Sequence, residues 1–172
     1  MMRIILENGK GSLRIATEED LDFITTTEHL EENRLFISIW TKEQHKKSLQ
    51  DTNMLYLIVE SEEKESIGYV MLCGLENEHK NIELMRVVIT RKNKGYGRAV
   101  LRAIKEYVFT HLKAHRLWLD VKDFNERAYH LYKTEGFVEE GKLRECIRSE
   151  ENYQSLIILS LLEQEYKKGV SL

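Results

Sequence analysis

The chain has 172 residues, 42% of them hydrophobic and 32% charged, with a formal net charge of -3 at pH 7. That length suits one domain, residues 1–172, with a sizeable apolar core, and the mild acidity excludes a general nucleic-acid binder, which would be basic overall. Cys73 and Cys146 stand alone without a CxxC pair, which argues against a disulfide framework or structural zinc and suits a reducing, cytoplasmic setting. No apolar run approaches the ~18 residues of a membrane span, and no long apolar stretch opens the chain, so neither a membrane helix nor a leader is expected.

In chain order, residues 13–16 read as a short strand, and Thr17 before Glu18, Glu19 and Asp20 reads as a capped helix start with an acidic first turn. Residues 41–49 are a second helical candidate. Residues 55–60 and 66–75 read as strands joined by the polar turn 61–65. The apolar, β-branched run 83–89 is a fourth strand, and Leu101, Ile104, Val108 and Leu112 then recur at helical spacing. Residues 116–121 read as a strand, 125–135 as a helix, and 138–148 and 153–161 as a hairpin across 149–152. The acids Glu18, Glu19, Asp20, Asp22, Glu28, Glu31 and Glu32 crowd the first helical region, where they read either as a solvated helix face or as an attraction for a cationic acceptor. His111 and His115 are four apart, but HLKAH lacks the glutamate of HExxH, so no metal site is expected.

Between the fourth strand and its helix lies Arg91-Lys92-Asn93-Lys94-Gly95-Tyr96-Gly97-Arg98. Gly95 and Gly97 can take backbone angles closed to other residues, so successive N–H groups can converge on an anion at the positive end of a helix dipole. A dinucleotide fingerprint needs a third glycine where Val100 stands, and a Walker A loop needs Gly-Lys-Ser/Thr where Gly97-Arg98-Ala99 stands. The run Lys92-Asn93-Lys94-Gly95-Tyr96-Gly97 instead resembles the Arg/Gln-x-x-Gly-x-Gly/Ala loop with which GNAT acetyltransferases hold the pyrophosphate of coenzyme A. Downstream, Asn125, Ala128, Tyr132, Gly136 and Phe137 match the same family's N-x-x-A-x-x-x-Y-x-x-x-G-F at every specified position. Asn125 also suits a helix N-cap and Gly136 a left-handed helix end, on which Phe137 packs back.

The resemblance, spanning roughly residues 83–160, implies an α/β fold: a twisted mixed sheet of about six to seven strands with helices on both faces. It implies transfer of an acetyl group from the co-substrate acetyl-CoA to a primary amine, on a protein N-terminus, a polyamine or another small molecule, without a metal. It is closest to the branch that includes ribosomal-protein N-terminal and spermidine N-acetyltransferases. In this family the fourth and fifth strands part to admit the pantetheine arm, which points to backbone groups at Arg86, Val87 and Val88. Lys92, Lys94 and Arg98 would add charge to the backbone cradle of Asn93, Gly95, Tyr96 and Gly97. Asn93 stands where glycine is frequent, a substitution asparagine tolerates at positive φ.

By the same resemblance Tyr132 supplies a proton to the departing thiolate, with Tyr129 the competitor one turn earlier. Glu83 is the candidate base, and release of the amine proton through solvent is the alternative. A non-catalytic acetyl-CoA sensor and an acyltransferase for longer acyl chains also fit the cradle. A homodimer through the C-terminal strands is open, because those strands often make dimer contacts in this family.

Overall fold

The computed structural model describes residues 3–149 and 152–170. Its centre is built by strands that are apolar on both sides. In β3 (Met54–Glu60), Tyr56 and Ile58 turn to one face and Leu57 and Val59 to the other, and all four are buried. In β4 (Ser66–Cys73), Tyr69 and Met71 alternate with Val70 and Leu72 in the same way. Strands of this kind need cover on both faces.

The cover comes from helices whose spacing matches. Ile24 of α1 (Leu21–His29) joins Tyr56, Ile58, Tyr69 and Met71 in one apolar cluster. On the opposite face, α4 (Tyr96–Glu106) places Val100, Leu101 and Ile104 against Leu57, Val59, Val70 and Leu72. Each such side chain contributes about 1.5–3 kcal/mol when fully removed from water. The spacing that predicts a helix as far as Leu112 is right about burial, but after Glu106 the chain widens into a π-helical turn, Tyr107–His111.

The eight strands among the described residues join one sheet in the order β1-β2-β3-β4-β5-β6-β8-β7. This is the expected mixed sheet, with one strand more than expected: β1 (Arg3–Ile5) pairs with β2 (Ser12–Ile15) at the edge and is too short to show a periodicity. A short α2 (Glu31–Arg34), α3 (Lys42–Leu49) and a terminal α6 (Glu163–Val170) complete the helices beside α5 (Glu126–Thr134). Thr41 caps α3 through a capping box with Gln44, and Thr17 caps a 3₁₀ turn, Glu18–Asp20, that runs into α1. The final hairpin joins β7 (Val138–Arg148) to β8 (Tyr153–Leu162), and of its predicted turn Glu150 and Glu151 lie outside the described residues. No helix among the described residues is long and apolar enough to cross a membrane.

One pairing shapes the site. β5 (Asn81–Ile89) and β6 (Arg116–Lys122) run parallel, but their register covers only Asn81 with Arg116, Ile82 with Leu117 and Glu83 with Trp118. Beyond Glu83 the two strands part. β5 stays on β4 with a bulge at Met85, and β6 stays on β8. Such a bulge bends a strand and re-aims its side chains.

Candidate active site

The parted strands leave β5 with one free edge from Leu84 to Ile89, where every second residue turns its N–H and C=O into the opening. Two adjoining cavities follow it. The larger, about 650 Å³, runs along Val87 and Val88 to the glycine loop. The smaller, about 300 Å³, lies between Glu83, Arg86, Asp120 and Lys122. Phe36, Ile37, Val87, Asn125, Ala128 and Tyr132 line both. A wider groove of about 1080 Å³ opens between α4, the π turn and α6, but it shares neither the free edge nor Tyr132 and is not this site.

The glycine loop has the backbone that its sequence implies. Asn93 and Gly95 take positive φ, 59° and 81°, and Gly95 caps α4. Lys92, Asn93, Gly95, Tyr96, Gly97 and Arg98 line the larger cavity. Two side chains of the predicted cradle have other partners, and a third stands outside the cavity. Arg98 pairs with Glu135, the Tyr96 hydroxyl donates to Glu62 at 2.6 Å, and Lys94 is absent from the lining, its carbonyl accepting from Lys10 Nζ at 3.0 Å. The half-buried Arg91 is drawn to Glu63 and Glu65. Lys92 meets no carboxylate among the described residues: its Nζ donates to Asn33 Oδ1 at 2.8 Å, and burial lowers its pKa.

Asn125 accepts from the Ala128 N–H at 3.2 Å, capping α5 at the junction of the cavities. At the other end, the Gly136 N–H bonds to Lys133 O at 3.2 Å and the Phe137 N–H to Tyr132 O at 3.0 Å, with φ of 95° at Gly136. This is a Schellman end. Tyr129 donates to Glu139 at 2.7 Å and lines neither cavity, whereas Tyr132 lines both. The Tyr132 phenol has its pKa pushed up to about 12, by burial and then by the charge of Asp120. Its hydroxyl makes no hydrogen bond among the described residues and so has its proton to offer.

Glu83, half-buried at the mouth of the parting, has its pKa raised by burial and then by Asp120. Asp120 keeps solvent contact, yet the walls around it desolvate the carboxyl enough to raise its pKa too. Sequence reasoning missed Asp120, whose only signal was an acid at an otherwise apolar strand end. It also missed the support for Arg86. That guanidinium is buried, paired with Glu28, donates to Ser38 O at 2.8 Å, and lies 5.2 Å from the Trp40 ring centre. Glu28 in turn accepts from Tyr69 at 2.5 Å and from the Trp40 N–H at 2.9 Å, with His45 Nε2 at 3.0 Å. Burial opposes its ionisation, but His45, the Trp40 N–H, Tyr69 and Arg86 together hold its pKa below the usual range. The acid-rich first helical region is therefore not one acidic face: Glu28 and Asp20 are buried in ion pairs, Glu18 meets Lys46 and Asp22 meets Lys42.

Comparison with known proteins decides the family. Residues 18–137 match the acetyltransferase (GNAT) family. The chain belongs to that family. A spermidine N(1)-acetyltransferase of Vibrio cholerae serotype O1 is 30% identical, covering 92% of this chain and 96% of the relative. A crystal structure of the Vibrio cholerae spermidine N-acetyltransferase in complex with CoA and spermine superposes with a TM-score of 0.84 at 28% identity, covering 93% of this chain and 99% of that one. A dodecameric structure of spermidine N-acetyltransferase from the same organism gives 0.79 at 30% identity, covering 92% and 97%. This GNAT protein is accordingly an acetyl-CoA-dependent N-acetyltransferase that acts on a primary amine.

Proposed function

We propose that this protein acetylates a polyamine such as spermidine, holding acetyl-CoA in the larger cavity and the amine in the smaller. The observation that carries the reading is the parting of β5 from β6 beyond Glu83 and Trp118, which gathers Glu83, Asp120 and Tyr132 around one opening. In this reading the free edge at Arg86, Val87 and Val88 pairs with the pantetheine amides, and one N–H polarises the thioester carbonyl as an oxyanion donor. The N–H groups of Asn93, Gly95, Tyr96 and Gly97, with the Lys92 ammonium, hold the pyrophosphate, and Asn125 fixes the start of α5 beside it. Arg98 serves the fold through Glu135, and Lys94 stands outside the cavity.

Glu83 and Asp120 attract the cationic end of the acceptor, and one of them accepts the proton that the amine must lose before attack. Their raised pKa values make either a better base than an ordinary carboxylate. Tyr132 donates to the sulfur as the C–S bond breaks. Against a thiol near 8.5, a phenol at about 12 is too weak an acid to surrender its proton outright, so its contribution is a hydrogen bond to the developing thiolate. The chain acts in the cytoplasm as one domain, a reading supported by the single sheet and by two cysteines with no disulfide. Its exposed β7–β8 hairpin, with Val138, Leu143 and Tyr153, is the face for a homodimer contact.

Coenzyme A release with spermidine, spermine and an N-terminal peptide as acceptors tests the assignment. Turnover with the polyamines well above the peptide is expected, and the reverse order would overturn the polyamine reading while leaving acetyl transfer in place.

A further inference from the structure

Lys122 is the one lysine among the described residues that line the smaller cavity. It lies two positions beyond Asp120 on β6, so the pleat sets both side chains on one face, about 6–7 Å apart along the strand. Asp120 and Tyr132, beside which the proposed thioester lies, line the same cavity as Lys122. The ammonium donates to Leu35 O at 2.8 Å and sits 5.8 Å from the centre of the Phe124 ring. Burial lowers its pKa, enlarging the neutral fraction over that of an ordinary lysine. Its side chain ends in the same primary alkylamine as the acceptor proposed above.

We propose that Lys122 is a site of self-acetylation, modified when acetyl-CoA occupies the cleft and no free amine occupies the cavity. The neutral Nζ attacks the thioester carbonyl, the N–C bond forms, and the C–S bond breaks. The proton shed by nitrogen ends on sulfur, so the products are one amide and one thiol. The proposal rests on the acetyl-transfer reading of this same cleft. Its product loses the charge-assisted contact to Leu35 and sets a neutral amide in the acceptor cavity, which slows transfer to a free amine.

The test is incubation of the whole protein with acetyl-CoA alone, followed by digestion with a glutamate-specific protease and fragment-ion mapping, which separates Lys113 from Lys122 within their shared peptide, 107–126. Lys122 is expected to gain an acetyl group at least about 10-fold faster than the exposed Lys64 and Lys113, because it lines the cavity that opens on the proposed donor site. The rate should not depend on protein concentration, should fall with saturating spermidine, and the fast signal should vanish from that peptide in Lys122→Arg, leaving only the slow labelling of Lys113. Equal labelling of Lys64, Lys113 and Lys122, or an unlabelled Lys122 in a sample that acetylates spermidine, overturns self-acetylation alone. A folded sample that acetylates neither spermidine nor itself overturns this proposal together with the reading beneath it.

Discussion

Tyr132 and Phe137 are joined twice: the Phe137 N–H donates to the Tyr132 carbonyl at 3.0 Å, and their rings meet edge to face with centroids 5.9 Å apart. The helix end that Gly136 makes possible is thus also the clamp on the tyrosine at the cleft. Gly136 has φ of 95°, and a methyl group added there would meet nothing nearer than Leu161 Cδ1 at 3.8 Å, so the penalty of a side chain is conformational rather than steric. Gly136→Ala is expected to lose about 1–2 kcal/mol of stability. It should lower kcat more than acetyl-CoA affinity, as denaturant unfolding and steady-state kinetics would show.

Glu83 and Asp120 both have raised pKa values, chiefly through burial. Their ionisation therefore opposes folding: that contribution to stability is present below the ordinary carboxylate range and is lost as pH rises through the raised values. For activity the sense is reversed, since a base must be ionised. The acidic limb of kcat/KM should lie above the ordinary glutamate value of 4.5 and belong to the pair rather than to either residue. Glu83→Gln is expected to cut kcat/KM about 100-fold and move that limb. An unchanged profile in Glu83→Gln with a shifted one in Asp120→Asn would assign the base to Asp120.

Lys92 bridges the glycine loop to Asn33 at 2.8 Å and gives up that neutral partner for a phosphate in the proposed complex. Lys92→Ala should weaken acetyl-CoA binding about 10-fold by calorimetry, as the loss of one charge-assisted contact implies, with kcat little changed.

Glu28 answers to Arg86, Tyr69 and the Trp40 N–H at once. Glu28→Ala leaves the Arg86 guanidinium buried without its carboxylate, and such a change costs about 3–5 kcal/mol. The folded pKa of Glu28 is depressed, so the stability it confers is present above the ordinary value of 4.5 and is lost as pH falls below that value through the lowered folded one. Urea unfolding at pH 7 and at pH 4 should show a smaller difference between the two pH values in the variant than in the native protein.

The parts of this protein legible in its sequence are those where short stretches specify their own geometry. Residues 92–98 carry their turn in Asn93 and Gly95, and residues 125–137 carry both caps of α5. The central strands and helices follow from the alternation of Tyr56, Leu57, Ile58 and Val59 and from the spacing of Leu101, Ile104 and Val108. What stayed hidden depends on contacts far apart in the chain. Glu28 finds Arg86 across 58 positions and Lys92 finds Asn33 across 59, so neither local pattern nor charge run reveals them. The same distance hides the pairing of Arg98 with Glu135, which only the folded chain brings together.

The most direct test of the account is single-turnover acetyl transfer to spermidine by the native protein and by Tyr132→Phe, with acetyl-CoA affinity measured on both. The phenylalanine variant is expected to bind acetyl-CoA as the native protein does and to transfer the acetyl group about 100-fold or more slowly. Equal transfer rates would remove Tyr132 from the chemistry, leaving it as the aromatic that packs on Phe137.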